Sequence, residues 1–199
     1  MATALAEKLG APLVESTTSR LLVDLNRSIG HRDLFSEVTR GAPAATRAQI
    51  LEHHYLPYRV RAENLVAQAV SDGNRMIHIS SHSFTAELDG DVRSADVGLL
   101  YDPRRRAEAE LCARWKQSLT AMAPHVRVRR NYPYAGKADG LTSHLRRRFA
   151  QQHYIGVELE INQGITLAGG RPWKHLRQQV IGSLGAACSA LTHADIGDS

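Results

Sequence analysis

One segment, residues 78–85 with the sequence HISSHSFT, carries side chains suited to metal chemistry. Residues 75–81 alternate polar and apolar side chains, which predicts a β-strand that ends next to His82. Sites in open α/β sheets are assembled at the carboxyl ends of strands, and a neutral imidazole nitrogen is a good zinc ligand. We therefore expect His82 to be a metal ligand rather than a hydrogen-bonded structural histidine. His78 shares its strand face but lies too far along the strand to bind the same ion, so we expect it to support the site or the core.

A second segment, residues 156–163 with the sequence GVELEINQ, places two carboxylates in an otherwise apolar strand. Charges in a buried strand are costly unless they are paired, bound to a metal or placed at a water-filled end. Glu158 and Glu160 point to the same face, because side chains alternate along a strand. Glu160 lies nearer the end of the strand and is our candidate for the general base that takes a proton from a metal-bound water. The alternative is a pair of surface carboxylates on an edge strand.

A third segment, residues 23–28 with the sequence VDLNRS, ends a predicted strand with an Asn-Arg pair. A guanidinium group binds a carboxylate through two parallel hydrogen bonds, and an adjacent amide can assist. Asn26 and Arg27 therefore suit an anionic substrate, although both residue types are also common in turns.

Together, the three segments resemble the corresponding parts of the N-formylglutamate amidohydrolase family. More distantly, residues 79–85 and 24–27 are similar to the zinc carboxypeptidases, in which a histidine after a strand completes the metal site and an Asn-Arg pair holds the substrate carboxylate. The resemblance to the amidohydrolases covers about residues 5–163. Further matching segments are residues 55–59, 93–102, 131–134, 136 and 139–140.

This resemblance implies hydrolysis of an N-formyl or similar linear amide bond in a small anionic substrate of the N-acyl amino-acid type. Zinc, held in part by His82, would polarise the carbonyl group and lower the pKa of its bound water. Glu160 would take the proton from that water and return it to the leaving amine.

The resemblance also implies a set of substrate contacts. Arg27, helped by Asn26, would hold a substrate carboxylate. Arg93 is a second candidate anion contact, and Tyr134 would donate a hydrogen bond to the developing oxyanion.

In one respect the chain departs from the family pattern. Members carry, ahead of the part represented here, a short strand ending in a His-Gly-Gly type loop that contributes metal ligands, and nothing before Leu5 matches it. A catalytic zinc takes three protein ligands, and the matching positions supply only His82. We therefore expect an incomplete zinc site, with His31, His53 and His54 as alternative ligands. Two hypotheses stay open: a metal-dependent amide hydrolase, and a truncated or non-catalytic homologue that binds carboxylates.

Apolar runs of strand length alternate with longer helical patterns along the whole chain. This alternation predicts an α/β fold with a mostly parallel or mixed central sheet flanked by helices in three layers, and the resemblance implies a fold like that of the zinc carboxypeptidases, of the phosphorylase/hydrolase type. The predicted strands are residues 13–15, 20–25, 75–81, 96–101, 126–128 and 154–161. The predicted helices are residues 2–9, 46–71 with Thr46 as cap and a break at Pro57, 103–122, 141–149, and one that begins near Pro172.

The length and charge of the chain narrow the choice of partners. With 199 residues, we expect a single domain over residues 1–199 that lacks the first strand and loop of the family.

Lys and Arg number 25 against 20 Asp and Glu, a net charge of +5. No zinc-finger, RNP or basic-zipper pattern accompanies the arginine groups at 104–106, 129–130 and 146–148, so we favour attraction of anionic substrates over a nucleic-acid partner.

The cysteines and apolar runs indicate the compartment. The two cysteines have no CxxC spacing, which favours buried thiols in a reducing environment. There is no signal-peptide pattern and no apolar run of the roughly 20 residues that span a bilayer. We therefore expect a cytoplasmic protein without a membrane partner.

Overall fold

The computed structural model describes residues 1–194, with side chains for residues 1–189. Within these residues the chain divides into two compact units. The first unit holds residues 1–12, 78–137 and those from 156 onward, and the second holds residues 13–77 and 138–155. The single domain expected from the length stays a prediction.

Most of a four-stranded sheet lies in the first unit, with the strand order β1-β6-β4-β5. The strands along the chain are β1 (Met76–Phe84), β2 (Glu87–Leu88), β3 (Asp91–Val92), β4 (Val97–Leu100), β5 (Val128–Arg130) and β6 (Tyr154–Asn162). β4 pairs with β5 in parallel and with β6 antiparallel, while β2 and β3 form a separate hairpin.

β1 and β6 run in the same direction. The Met76 amide donates to the His153 carbonyl at 2.8 Å, which in a parallel ladder places Met76 beside Tyr154. These two residues begin strands of nine residues each. The described strands therefore form an open, mixed and mostly parallel sheet, which confirms the predicted fold class.

Four helices of the described chain lie in the first unit. They are α1 (Ala2–Leu9), α4 (Arg106–Met122), α6 (Gln163–Ala168) and α7 (Gly170–Ala194). α4 packs on β4 and β5, and α7 packs on α4. α4 packs against α7 through Trp115, which is fully buried and donates from Nε1 to the Ser183 hydroxyl at 3.0 Å. Below it, Leu99 of β4 lies beside Leu159 of β6, and both are fully buried. The helix predicted at residues 2–9 is confirmed, and Gly10 ends it in a left-handed conformation.

The second unit contains the long helix predicted for residues 46–71. It runs without a break as α2 (Ala44–Ile50), a π-helical turn (Leu51–Tyr55) and α3 (Leu56–Ser71). Thr46 as cap is wrong, because the helix begins two residues earlier after Pro43. The predicted break at Pro57 is replaced by the π turn just before it. A proline has no N–H to donate and its ring crowds the preceding turn, and the wider π turn accommodates both effects.

Two apolar clusters stabilise the second unit. In one, α3 packs against α5 (Leu141–Arg148), and the buried residues are Ala62, Val66, Leu141, Leu145 and Tyr154. The other holds Val23, Leu34, Ile50 and Tyr55. Within the described residues, no helix combines the length and the apolar character needed to cross a bilayer.

The strands predicted at residues 13–15 and 20–25 are wrong, because these residues form turns and irregular segments. The amides of Leu22 and Val23 both bond to the Ser19 carbonyl, a local pattern that a strand does not make. The apolar side chains there pack into the second cluster, so a buried loop produced the strand-like pattern. Sequence reasoning also missed α6, although Asn162 caps it by accepting from the Gly164 amide at 2.9 Å.

Candidate functional site

Glu160 lies in β6 with 6% of its surface exposed. In the antiparallel ladder it stands opposite Gly98, and Glu158 stands opposite Leu100. The two carboxylates therefore share one face of the sheet, as the sequence predicted, while Leu159 lies on the opposite, helix-covered face. Glu160 thus lies on the polar face of a sheet whose other face is core.

His82 lies beside Glu160. β1 continues to Phe84 rather than ending at Ser81, so His82 is inside the strand. The register that pairs Met76 with Tyr154, carried along both nine-residue strands, pairs His82 with Glu160. Parallel neighbours share a sheet face about 4.8 Å apart, so the predicted metal ligand and the predicted general base are adjacent. The His82 Nε2 atom also lies 2.8 Å from the Ser80 hydroxyl.

On the other side of Glu160, Gly98 provides space that any other residue would fill. A Cβ atom built on Gly98 would lie 2.3 Å from the Tyr132 carbonyl oxygen and 3.2 Å from the Glu160 Cβ. The Tyr132 carbonyl therefore reaches the sheet surface next to Glu160. One row across the sheet holds His82, Glu160 and Gly98, and the Tyr132 backbone covers its end.

The loop that supplies Tyr132 is fixed to β4 by Asn131. Its side-chain oxygen accepts hydrogen bonds from the Tyr101 amide at 3.0 Å and the Gly136 amide at 3.1 Å. Asn131 has a φ of 51°, a left-handed conformation that asparagine tolerates better than most residues. The Tyr132 hydroxyl accepts from the Ser94 amide at 3.2 Å. Sequence analysis named residues 131–134 only as a segment that matches the family and gave Asn131 no role of its own.

Arg93 and Tyr134, both predicted to contact the substrate, are in contact with each other. Arg93 is 8% exposed and donates from Nη1 to the Tyr134 hydroxyl at 2.8 Å. Its guanidinium carbon lies 4.9 Å from the Tyr134 ring centre and 5.8 Å from that of Phe84. Phe84 follows His82 by two residues in β1, so both side chains lie on the same strand face.

Asn26 and Arg27 lie in a turn of the second unit and hold the loop that leads into α5. The Asn26 side-chain oxygen accepts from the Leu141 amide at 2.8 Å, and Arg27 donates from Nη1 to the Asp139 carbonyl at 2.9 Å. The Tyr55 hydroxyl donates to the Arg27 carbonyl at 2.7 Å. The side chain of Arg27 keeps one third of its surface exposed. Its role as a substrate contact stays a prediction.

The same loop is fixed by the Asp139 carboxylate. It accepts from the Ser28 amide at 2.8 Å and from the Ser28 hydroxyl at 2.5 Å. Burial alone would raise the pKa of Asp139, but the two hydrogen bonds from Ser28 and the nearby His31 and Arg27 favour the charged form. Together they lower the pKa of Asp139 below its ordinary value.

Glu108 is a buried carboxylate that sequence reasoning missed. It is fully buried in α4 and accepts from the amides of Asp102 at 2.9 Å and Gly156 at 3.2 Å. The Arg105 guanidinium lies 3.2 Å from the same carboxylate. Glu108 thus ties the end of β4 to the start of β6. No local pattern reveals this role, because one of its partners is 48 residues away.

The residues around His82 bear on the predicted zinc. Within the described residues, no group of three His, Cys, Asp or Glu side chains is arranged to hold an ion. This also holds for His31, His53 and His54, the alternative ligands. The Nδ1 atom of His53 lies 2.8 Å from the Gln49 carbonyl of its own helix, and that of His31 accepts from the Asp33 amide.

Several members of the arginine groups are engaged with carboxylates. Arg104 pairs with Asp102 at 2.8 Å, and the hydrogen bond to that carboxylate raises the pKa of Arg104. In the second unit, Arg148 pairs with Glu63, which also lies 3.0 Å from the His144 ring.

Comparison with known proteins finds a matching family and similar solved structures. The sequence model of the N-formylglutamate amidohydrolase family matches residues 1–166. The solved structure of the gene product Atu2144 from Agrobacterium tumefaciens is 26% identical, covers 96% of this chain and 76% of its own, and superposes with a TM-score of 0.80. The solved structure of N-formylglutamate amidohydrolase from Ralstonia eutropha JMP134 is 17% identical and covers 94% of this chain and 81% of its own. It superposes with a TM-score of 0.64, which is a likeness of fold. No curated protein matches the chain.

Proposed function

Because the chain belongs to the N-formylglutamate amidohydrolase family, a family of hydrolases, we propose that it hydrolyses the linear amide bond of a small N-formyl amino acid. The observation that carries this proposal is the row of His82 and Glu160 on adjacent strands. A buried carboxylate beside an imidazole is suited to proton transfer, which is the chemistry that amide hydrolysis requires.

Glu160 is the proposed general base. It takes a proton from a water molecule as the water oxygen bonds to the formyl carbon, and it returns the proton to the amine nitrogen as the carbon-nitrogen bond breaks. The products are formate and the free amino acid. The Tyr134 hydroxyl is the proposed donor to the oxyanion that forms between these steps, and Arg93 is a proposed anion contact.

Asn26 and Arg27 are the further proposed contacts for a substrate carboxylate. What supports this role is the partly exposed side chain of Arg27 and the fork geometry of its donors.

The zinc implied by the resemblance does not fit the donor set that the described residues offer. A catalytic zinc takes three protein ligands, whereas His82 and Glu160 are two neighbouring side chains and no third His, Cys, Asp or Glu completes a group with them in the described part of the chain. The mechanism above therefore contains no step through a metal.

This shortage of ligands favours a second candidate function, in which the chain binds N-acyl amino acids without hydrolysing them. Such a protein would bind the substrate anion through one of the proposed arginine contacts and release no formate. The two candidates differ in turnover and not in ligand class.

A formate-release assay on N-formylglutamate, paired with zinc analysis of the purified chain, tests the proposal. We expect turnover by the wild-type chain and a loss of about 100-fold or more in kcat for Glu160→Gln, because the amide cannot accept the proton. Glu87→Gln is the matched control, since Glu87 is exposed in the β2–β3 hairpin and its variant should keep wild-type kcat. Ligand binding without formate release, in a chain free of zinc, would establish the second candidate instead.

A further inference from the structure

Consecutive carbonyls in the turn that carries Asn26 and Arg27 accept hydrogen bonds from one tyrosine-arginine pair. Arg59 donates from Nη1 to the carbonyls of Leu25 and Asn26, each at 3.3 Å. The Tyr55 hydroxyl donates to the next carbonyl, that of Arg27, at 2.7 Å. The turn is thus held through its main chain as well as through the side chains of Asn26 and Arg27.

Tyr55 and Arg59 act together from the helix that begins at Ala44. They are four residues apart, so their side chains leave the same side of the helix. The guanidinium carbon of Arg59 lies 5.4 Å from the Tyr55 ring centre, within the range of a cation-π contact. Burial is the largest cause that raises the pKa of Tyr55 above its ordinary value, so the phenol keeps the proton that it donates.

The burial of this pair distinguishes it from a surface contact. Only 3% of Tyr55 and 6% of Arg59 is exposed. Burying a guanidinium group is costly unless hydrogen bonds or an anion compensate, and here the carbonyls of the turn are acceptors for it. Arg61, two residues later in the same helix, also reaches a carbonyl, that of Leu13 at 3.4 Å, but is exposed.

The amides of the turn are held from the other direction by Asp24. The Asn26 amide donates to the Asp24 carboxylate at 2.9 Å, and the Arg27 amide donates to the Asp24 carbonyl at 3.1 Å. With these amides held inside the turn and the carbonyls held by the helix, the peptide groups around Asn26 and Arg27 have a fixed orientation. The direction in which the Arg27 side chain leaves the main chain therefore depends on Arg59 and Tyr55.

We propose that Arg59, together with Tyr55, is a positioning residue for the turn of Asn26 and Arg27 and acts on ligand affinity rather than on turnover. The proposal rests on the proposed function for the role of Arg27 and for the identity of the ligand. One nitrogen of Arg59 makes both hydrogen bonds, so a lysine ammonium can replace it, whereas a carboxylate contact at Arg27 needs the planar fork.

Amide hydrogen exchange followed by NMR tests the positioning without any ligand. Arg59→Met keeps an unbranched side chain and removes its donors, and Tyr55→Phe removes one hydroxyl at little risk to folding. We expect both variants to speed exchange of the Asn26 and Arg27 amides, by about 10-fold in Arg59→Met, while amides of α4 stay within about twofold of the wild type. Arg61→Met is the matched control and should keep wild-type rates. Unchanged exchange in the turn, or an equal rise in the turn and in α4, would overturn the proposal.

The formate-release assay provides the second measurement. We expect the KM for N-formylglutamate to rise about 10-fold in Arg59→Met and a few-fold in Tyr55→Phe, with kcat within about twofold of the wild type. Arg59→Lys should return the KM to within about threefold of the wild type, a rescue that Arg27→Lys does not give. If the chain binds the ligand without turnover, the Kd from calorimetry takes the place of the KM.

The double variant Arg27→Lys/Arg59→Met separates action through Arg27 from an independent effect. If Arg59 acts by placing Arg27, the double variant should lose about 10- to 20-fold in affinity, whereas independent effects would multiply to about 100-fold. A loss near 100-fold, or a fall in kcat at unchanged KM, would overturn the proposal. A wild-type chain that neither hydrolyses nor binds N-formylglutamate would refute the proposed function and with it the role in affinity, while a local change in exchange would still show that Arg59 orders the turn.

Discussion

Replacing Gly98 by alanine tests the close contact at the end of the row formed by His82, Glu160 and Gly98. The new Cβ would lie 2.3 Å from the Tyr132 carbonyl oxygen, and real Cβ contacts essentially never fall below 3.0 Å. The carbonyl must therefore move by most of an ångström. That carbonyl is backbone, and its loop is held by the two hydrogen bonds of Asn131, so the movement has to distort the loop or the sheet.

The expected cost follows from two opposing effects. Overpacking a tightly packed site costs about 1–3 kcal/mol. Removing a glycine from a strand interior returns about 0.5–1 kcal/mol through the lower entropy of the unfolded chain. We expect Gly98→Ala to lower the free energy of unfolding by about 1–2 kcal/mol, which for a chain of this size lowers the Tm by about 2–8 °C.

Thermal unfolding followed by circular dichroism measures this change. Gly182→Ala is the control, because the Cβ would meet only the Met122 sulfur at 3.8 Å, an ordinary contact inside helix α7. That variant should be as stable as the wild type or slightly more stable. A Gly98→Ala chain that unfolds at the wild-type temperature would refute the close approach of the Tyr132 carbonyl to the sheet.

Two further predictions concern the turn that holds Asn26 and Arg27. Arg27→Lys should raise the KM for N-formylglutamate by about 10-fold with little change in kcat, because lysine lacks the planar fork. The control is Arg32→Lys, since 90% of the Arg32 side chain is exposed. An unchanged KM in the Arg27→Lys variant would exclude Arg27 as a substrate contact. Asp139 has a folded-state pKa below its ordinary value of 3.8, so its stabilising contribution is complete above that pH and is lost as the pH falls through the folded-state value. In urea unfolding at pH 7, the Asp139→Asn variant should therefore have a lower free energy of unfolding than the wild type, and this difference should shrink toward pH 2. A difference in the free energy of unfolding that does not change with pH would show that the charge of Asp139 does not contribute.

Local pattern was sufficient where one strand or helix determines its own burial. Alternation around Glu158 and Glu160 predicted their shared face, and the helical pattern of residues 2–9 predicted the first helix. Pattern failed at residues 20–25, because side chains of a buried loop pack into a core as densely as those of a strand and alternate by chance.

Contacts between distant parts of the chain explain what sequence reasoning left out of the site. The pairing of His82 with Glu160 depends on the register of two strands 78 residues apart in sequence, and nothing within either strand specifies that register. Arg93 and Tyr134 were each identified as substrate contacts by resemblance, but their mutual hydrogen bond spans 41 residues. The carbonyl beside Gly98 had no sequence signal, since a glycine in a strand has several explanations.

The π turn before Pro57 sets the rotational phase of the whole helix from Ala44 to Ser71. Ile50 and Tyr55 pack in the same apolar cluster although they are five residues apart. A regular α-helix advances about 100° per residue, so a five-residue step would place them about 140° apart around the axis, whereas the wider π turn brings both to one side. The extra residue thus acts as a one-residue insertion that keeps the hydrophobic stripe of the first segment aligned with that of the second. It also places Arg59, one turn after Tyr55, where it donates to the carbonyls of Leu25 and Asn26.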